Sequence, residues 1–81
     1  MSDILEAIDY ELGLRSTAQL LRKTREAAGL THRQIAKMSG LKFADVQRIE
    51  DTRDDDLDIG QAHKYAAALS AYADEIQRRQ S

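Results

Sequence analysis

The sequence predicts an all-α protein, a compact bundle of five or six short helices, and three observations carry that expectation. Proline is absent and glycine occurs four times in 81 residues, so helices are interrupted only at a few marked points. Ala, Leu, Glu, Lys, Arg and Gln, the strong helix formers, dominate the composition. β-Branched residues come singly and never alternate over the length of a strand, whereas apolar residues recur at intervals of three and four.

The first helix is expected over residues 2–12. Ser2 can cap it, Asp3 and Glu6 suit its positive end, Ile4, Leu5, Ile8 and Leu12 make one apolar face, and Gly13 stops it. That face either packs on the core or forms a dimer contact. A second helix runs over 17–28, with Ser16 and Gln19 spaced as a capping box and Gly29 as its end. Leu20, Leu21, Ala27 and Ala28 supply its buried side, and Leu30 follows as a plug.

Two short periodicities then meet at one glycine. Thr31 can cap a third helix that carries Ile35, Ala36 and Met38, and Gly40 can take the left-handed conformation that ends it. A fourth helix, 42–50, repeats Val46 and Ile49, with Leu41 sealing the corner. Ala36 lies four residues before Gly40, so a small residue faces the crossing while branched residues of the next helix pack over it. The two helices can therefore cross steeply at close range. The run DTRDDDLD breaks the fourth helix, because aspartates compete with the backbone for hydrogen bonds. Asp56 or Asp58 can cap a fifth helix over 59–69, with Ile59, Ala62, Tyr65, Ala66 and Leu69 on one face. Residues 71–79 form a further helix or continue the fifth, since Ser70 stands where a stopping glycine is common. Ala68, Tyr72 and Ile76 give that segment a stripe suited to the core or to a partner helix.

Several function classes are excluded on chemistry. Without cysteine there is neither a disulfide nor a thiolate metal site, which fits a cytoplasmic protein. Asp3, Glu6 and Asp9 interrupt what would be the apolar core of a signal peptide, and no apolar run approaches the roughly 20 residues that span a bilayer. The expectation is a soluble single domain with no membrane partner. Asp54, Asp56 and Asp58 alternate as in a calcium loop, but Ile59 stands where the sharp bend needs glycine and Tyr65 where a bidentate acid is needed. His32 and His63 are far apart in sequence, and there is no nucleophilic cysteine or glycine-rich phosphate loop. No enzyme, cofactor or metal is expected.

Charge is unevenly distributed. The chain carries a net charge of −2. Residues 15–48 hold eight basic side chains against the two acids Glu26 and Asp45, a local balance of +6, while the remaining acids gather at the ends. A duplex responds to charge within about a Debye length, roughly 8–10 Å, so the local patch outweighs the total.

Residues 31–50 resemble the DNA-binding helix-turn-helix of the phage-repressor-like family, often called Xre or Cro/C1-type. Ala36, Gly40, Val46, Ile49 and Glu50 fall on its pattern, and the resemblance extends over about residues 17–69. It implies a lambda-repressor-like fold in which 15–81 form the DNA-binding domain and 1–14 add an extra helix. It also implies that the helix from Lys42 to Glu50 enters the major groove, with Phe43, Ala44, Gln47 and Arg48 toward the bases and His32, Lys42 and Arg53 toward phosphates. Arg48 is the strongest reading candidate, because its planar fork matches guanine O6 and N7; Phe43 and Ala44 suit a thymine methyl. Arg25 stands where the family has an arginine that pairs with the glutamate ending the recognition helix, here Glu50.

The function implied is a transcription regulator, most simply a repressor acting as a homodimer on a palindromic operator. The chain departs from the pattern at Lys42, where a capping Ser or Thr is usual, and at Thr24, where a core aliphatic is usual. It departs again at Asp51 and Asp54 to Asp56, where amides or cations face the phosphates. These carboxylates support the alternative, a protein-interaction module on the same scaffold, such as an antitoxin or a polymerase-binding partner.

Overall fold

The computed structural model describes residues 16–80, which form four α-helices and one 3-10 turn. These are α1 (Ser16–Ala27), α2 (His32–Ser39), α3 (Phe43–Ile49), the 3-10 turn Asp54–Asp56 and α4 (Ile59–Gln80). The all-helical class is as expected, and there is no strand among the described residues. The helix count is lower than five or six for two reasons. The helix expected over 2–12 lies outside the described residues. The two expected C-terminal helices are one continuous helix of 22 residues, because a serine at position 70 costs a helix interior only a few tenths of a kcal/mol and its neighbours are mostly alanine.

Local chemistry explains the helix ends. At Thr31 the hydroxyl accepts from the Gln34 N–H at 3.1 Å, while the Gln34 side chain accepts from the Thr31 N–H at 2.8 Å, a reciprocal capping box. Gly40 closes α2 at φ 78°, its N–H donating to Ala36 O. An added Cβ at Gly40 would meet nothing within 4 Å, so the position resists a side chain through conformation alone. Gly40→Val is therefore expected to cost about 1–2 kcal/mol, the price of the left-handed region for an L side chain. A thermal melt reads this, and an unchanged midpoint would show that the turn tolerates another conformation.

The capping box expected at Ser16 and Gln19 is not formed. Asp54, from the 3-10 turn, accepts instead from the Ser16 hydroxyl at 2.8 Å and the Thr17 N–H at 3.1 Å, so a distant carboxylate caps α1. Those two donors hold the Asp54 carboxyl below its ordinary range. Asp58 caps α4 through the Gln61 N–H at 3.0 Å, which selects it over Asp56.

The core gathers Leu21, Leu30, Ile35, Ala36, Val46, Ile49, Tyr65, Ala68 and Leu69, with Leu41, Leu57 and Tyr72 packed on its edge. Ile35, Val46, Ile49 and Tyr65 are the largest side chains fully removed from water. Several expected core positions lie outside it. Leu20 is exposed, and the buried face of α1 is Ala18, Leu21 and Arg25, about 100° round the helix. Ala27 is exposed too, while Ala28 packs on the core edge. Thr24 is also on the outside, its hydroxyl donating to Leu20 O at 2.7 Å, so no core aliphatic is missing there. Met38 points outward from the end of α2. On α4 the buried line is Tyr65, Ala68 and Leu69, continued by the half-buried Tyr72 and Ile76, whereas Ile59 and Ala66 fall on a different, exposed face.

Candidate nucleic-acid interface

α3 is a helix with two opposed sides. Val46 and Ile49, three apart, are buried against α2 and α4, and they turn Phe43, Ala44, Gln47 and Arg48 outward. Its N-cap, Lys42, makes no side-chain capping bond, so tertiary packing rather than capping holds its start.

The end of α3 is fastened by one carboxylate. Glu50 accepts from Arg25 Nε at 2.8 Å and from Arg25 Nη2 at 3.1 Å, a bidentate pair. Tyr65 donates its hydroxyl proton to Glu50 Oε2, and His32 Nε2 lies 3.0 Å from Oε1. The Glu50 side chain is 5 % exposed and that of Arg25 10 %. Arg25 also donates from Nη1 to Leu30 O at 2.8 Å, so the guanidinium spans three acceptors. Burial pushes the Glu50 carboxyl upward, but hydrogen bonds from Arg25, Tyr65 and His32 outweigh it and hold the group below its ordinary range. The same pairing raises Arg25, while burial followed by donation to Glu50 raises Tyr65. The Arg25–Glu50 contact expected from the resemblance is present, and Tyr65 is the partner that sequence spacing did not supply. A buried tyrosine hydroxyl needs an acceptor, which is the signal that points to it.

Phe43 is on the surface rather than in the core, 41 % exposed, and it has company. The His32 ring meets it edge-on at 6.1 Å between centroids, and the Arg33 guanidinium lies 5.4 Å over its face. α2 therefore contributes two nitrogen-bearing side chains that steady an aromatic ring at the start of α3. Arg33 was not among the residues singled out by sequence; its place directly after His32 is the signal available.

Arg48 is exposed but oriented. Its Nη2 donates to Asp45 Oδ1 at 2.8 Å and to Gln61 Oε1 at 3.1 Å, which hold the guanidinium between α3 and the start of α4. Ala44, Gln47 and Lys42 are exposed. Arg53 is exposed in the following turn, 4.0 Å from Asp55. Thus Phe43, His32 and Glu50 are brought into one contiguous cluster, Arg48 is set apart by its own tether, and Arg53 makes no contact with either group. No helix among the described residues is long and apolar enough to cross a membrane. No family model, curated protein or solved structure matches the chain.

Proposed function

We propose that this chain is a sequence-specific DNA-binding regulator whose helix-turn-helix is α2, the turn at Gly40 and α3. The observation that carries the reading is the two-sided α3: Val46, Ile49 and the clasped Glu50 hold one side, leaving Phe43, Ala44, Gln47 and Arg48 exposed together on the other. A short helix held at its rear and presented at its front is what insertion into a major groove requires. The basic balance of residues 15–48 supplies the attraction to phosphates, with Lys42, His32 and Arg53 as the phosphate contacts. The simplest action is repression by a homodimer that occupies a palindromic operator.

The acidic run weighs less against this reading than its composition suggests. Asp54 and Asp58 are committed to capping α1 and α4. The test is selection from a random duplex library at moderate salt. A palindromic motif supports the proposal; no enrichment even at low salt turns the search to a protein partner. That second reading rests on the tether of Arg48 by Asp45, which places a carboxylate on the exposed end of α3.

Dimerisation in this reading uses the end of α4. Ile76, half-buried and beyond the core-packed Tyr72, continues the buried line of α4 toward its C-terminus. Ile76→Asp is expected to convert the dimer to a monomer in sedimentation without lowering the monomer's melting temperature. A dimer that persists removes this face from the interface. Tyr72 is the poorer test position, because its substitution would also disturb the core.

A further inference from the structure

Among the large apolar side chains left exposed in the described residues, Phe43 is the one aromatic, and it stands on the outward side of α3. α3 is held without it. Val46 and Ile49 fix the inner side of the helix, Glu50 fixes its end, and Phe43 is not part of the core cluster. The ring nevertheless has a defined setting. The Arg33 guanidinium lies 5.4 Å over its face and the His32 imidazole meets it edge-on, so two side chains from the first turn of α2 orient a ring across the Gly40 turn.

The partnering of Arg33 is unusual in this molecule. Arg22, Arg25, Arg48 and Arg53 each lie within 4.0 Å of a carboxylate. Arg33 makes no ion pair among the described residues, and its guanidinium rests on the ring instead. With one face under a cation and one edge against an imidazole, the exposed remainder of the ring is a small apolar surface with uncompensated positive charge beside it. One group on a base edge matches that surface. The C5-methyl of thymine is the apolar feature of a major groove otherwise lined by donors and acceptors. The C5 edge of a pyrimidine also lies on the side of its own sugar–phosphate strand, where a neighbouring cation is favoured. Ala44, the next residue, offers a single methyl for such a contact, whereas Phe43 offers the edge of a ring.

We propose that Phe43 reads the C5-methyl of a pyrimidine and that Arg33 is a positioning residue that sets the ring for it. The group recognised is the methyl, which thymine carries and which cytosine acquires on C5 methylation. This inference rests on the docking of α3 given under the proposed function, and it divides the reading between a methyl at Phe43 and a guanine at Arg48.

The test uses the natural protein and the duplex that library selection yields. Each thymine in turn is replaced by deoxyuridine, which removes the methyl and keeps every hydrogen-bonding group. At one position in each half-site the affinity is expected to fall about three- to tenfold, the worth of one methyl returned to water, with little change elsewhere. Cytosine and 5-methylcytosine, each paired with guanine, are then compared at that position. An equal gain on methylation shows that the methyl alone is read, and a gain confined to thymine assigns the base as well. Phe43→Ala should bind the thymine and deoxyuridine duplexes equally, and because the ring is outside the core its melting midpoint should stay near that of the natural protein. Arg33→Ala should narrow the ratio between the two duplexes, and Arg33→Lys should restore part of it. His32 is the poorer position to substitute, since it also contacts Glu50. An equal loss on both duplexes in Arg33→Ala would reduce Arg33 to a phosphate contact and overturn its positioning role. A site indifferent to every thymine methyl, or a methyl effect that survives Phe43→Ala, would overturn the inference while leaving α3 a reader of DNA. Enrichment of no duplex at all would overturn both.

Discussion

Replacing Glu50 by alanine is expected to destabilise the fold by about 3 kcal/mol or more, a fall in melting temperature of roughly 12–25 °C for a domain of this size. The substitution removes the acceptor of four contacts at once. Arg25, largely buried, would keep Leu30 O but lose both carboxylate oxygens, and the enclosed Tyr65 hydroxyl would lose its acceptor. Leaving one member of a buried pair is far more costly than exchanging both for apolar groups. Glu50→Gln, which keeps shape and one acceptor, should fall between. The pH dependence follows in sign. Glu50 titrates below its ordinary value in the folded state, so its contribution is complete above the ordinary carboxylate range and disappears as pH falls through the lowered folded value. Thermal melts from neutral pH into acid should show a steep acid limb in the natural protein and a flatter one in Glu50→Ala. Equal midpoints at neutral pH would mean that the clasp contributes nothing.

Arg48→Ala is expected to reduce discrimination between a selected site and a scrambled duplex by about 10- to 100-fold, corresponding to one bidentate base contact of about 1–3 kcal/mol. Weak general binding should survive, because Lys42, Arg53 and the rest of the basic segment remain. The structure adds a further expectation. Asp45 and Gln61 hold Nη2 and so restrict the side chain before any partner arrives, which lowers the ordering cost of a contact but would place a carboxylate near a duplex docked on α3 as proposed. Asp45→Asn should therefore strengthen overall binding while broadening the preference. Competition titrations with the two duplexes separate these effects, and undiminished discrimination in Arg48→Ala would take Arg48 out of the reading set.

The parts of this fold legible in the sequence are those written in local chemistry. Thr31 marks the start of a helix that begins just after it, Gly40 tolerates a left-handed turn, and Val46 and Ile49 three apart require a common neighbour, whereas the reciprocal bond from Gln34 at the Thr31 cap was not read from the sequence. What sequence did not reveal is which apolar face is covered. Leu20 and Leu21 are equally apolar, yet one is exposed and the other buried, because coverage depends on where α4 crosses α1. On α4 the same spacing groups Ile59 and Ala66 with Tyr65 and Leu69, although the first two are exposed and the others buried, with Ala62 packed on the core edge between them. Contacts between distant residues were hidden for a related reason: Asp54 caps a helix 37 residues earlier in the chain, and the Arg48 tether joins two helices. Of the candidate site, the Arg25–Glu50 pair was legible from the pattern, whereas Tyr65, Arg33, Asp45 and Gln61 became visible only once the helices were packed.

On the proposed function, the division of α3 into a held side and a presented side would write recognition and foldability on separate letters of one short word, Phe43 to Glu50. Exchanging Ala44 or Gln47 alters what the protein touches while leaving Val46, Ile49 and Glu50 to specify where the helix sits. New preferences could then be grafted onto this scaffold by changes that leave its melting behaviour nearly untouched.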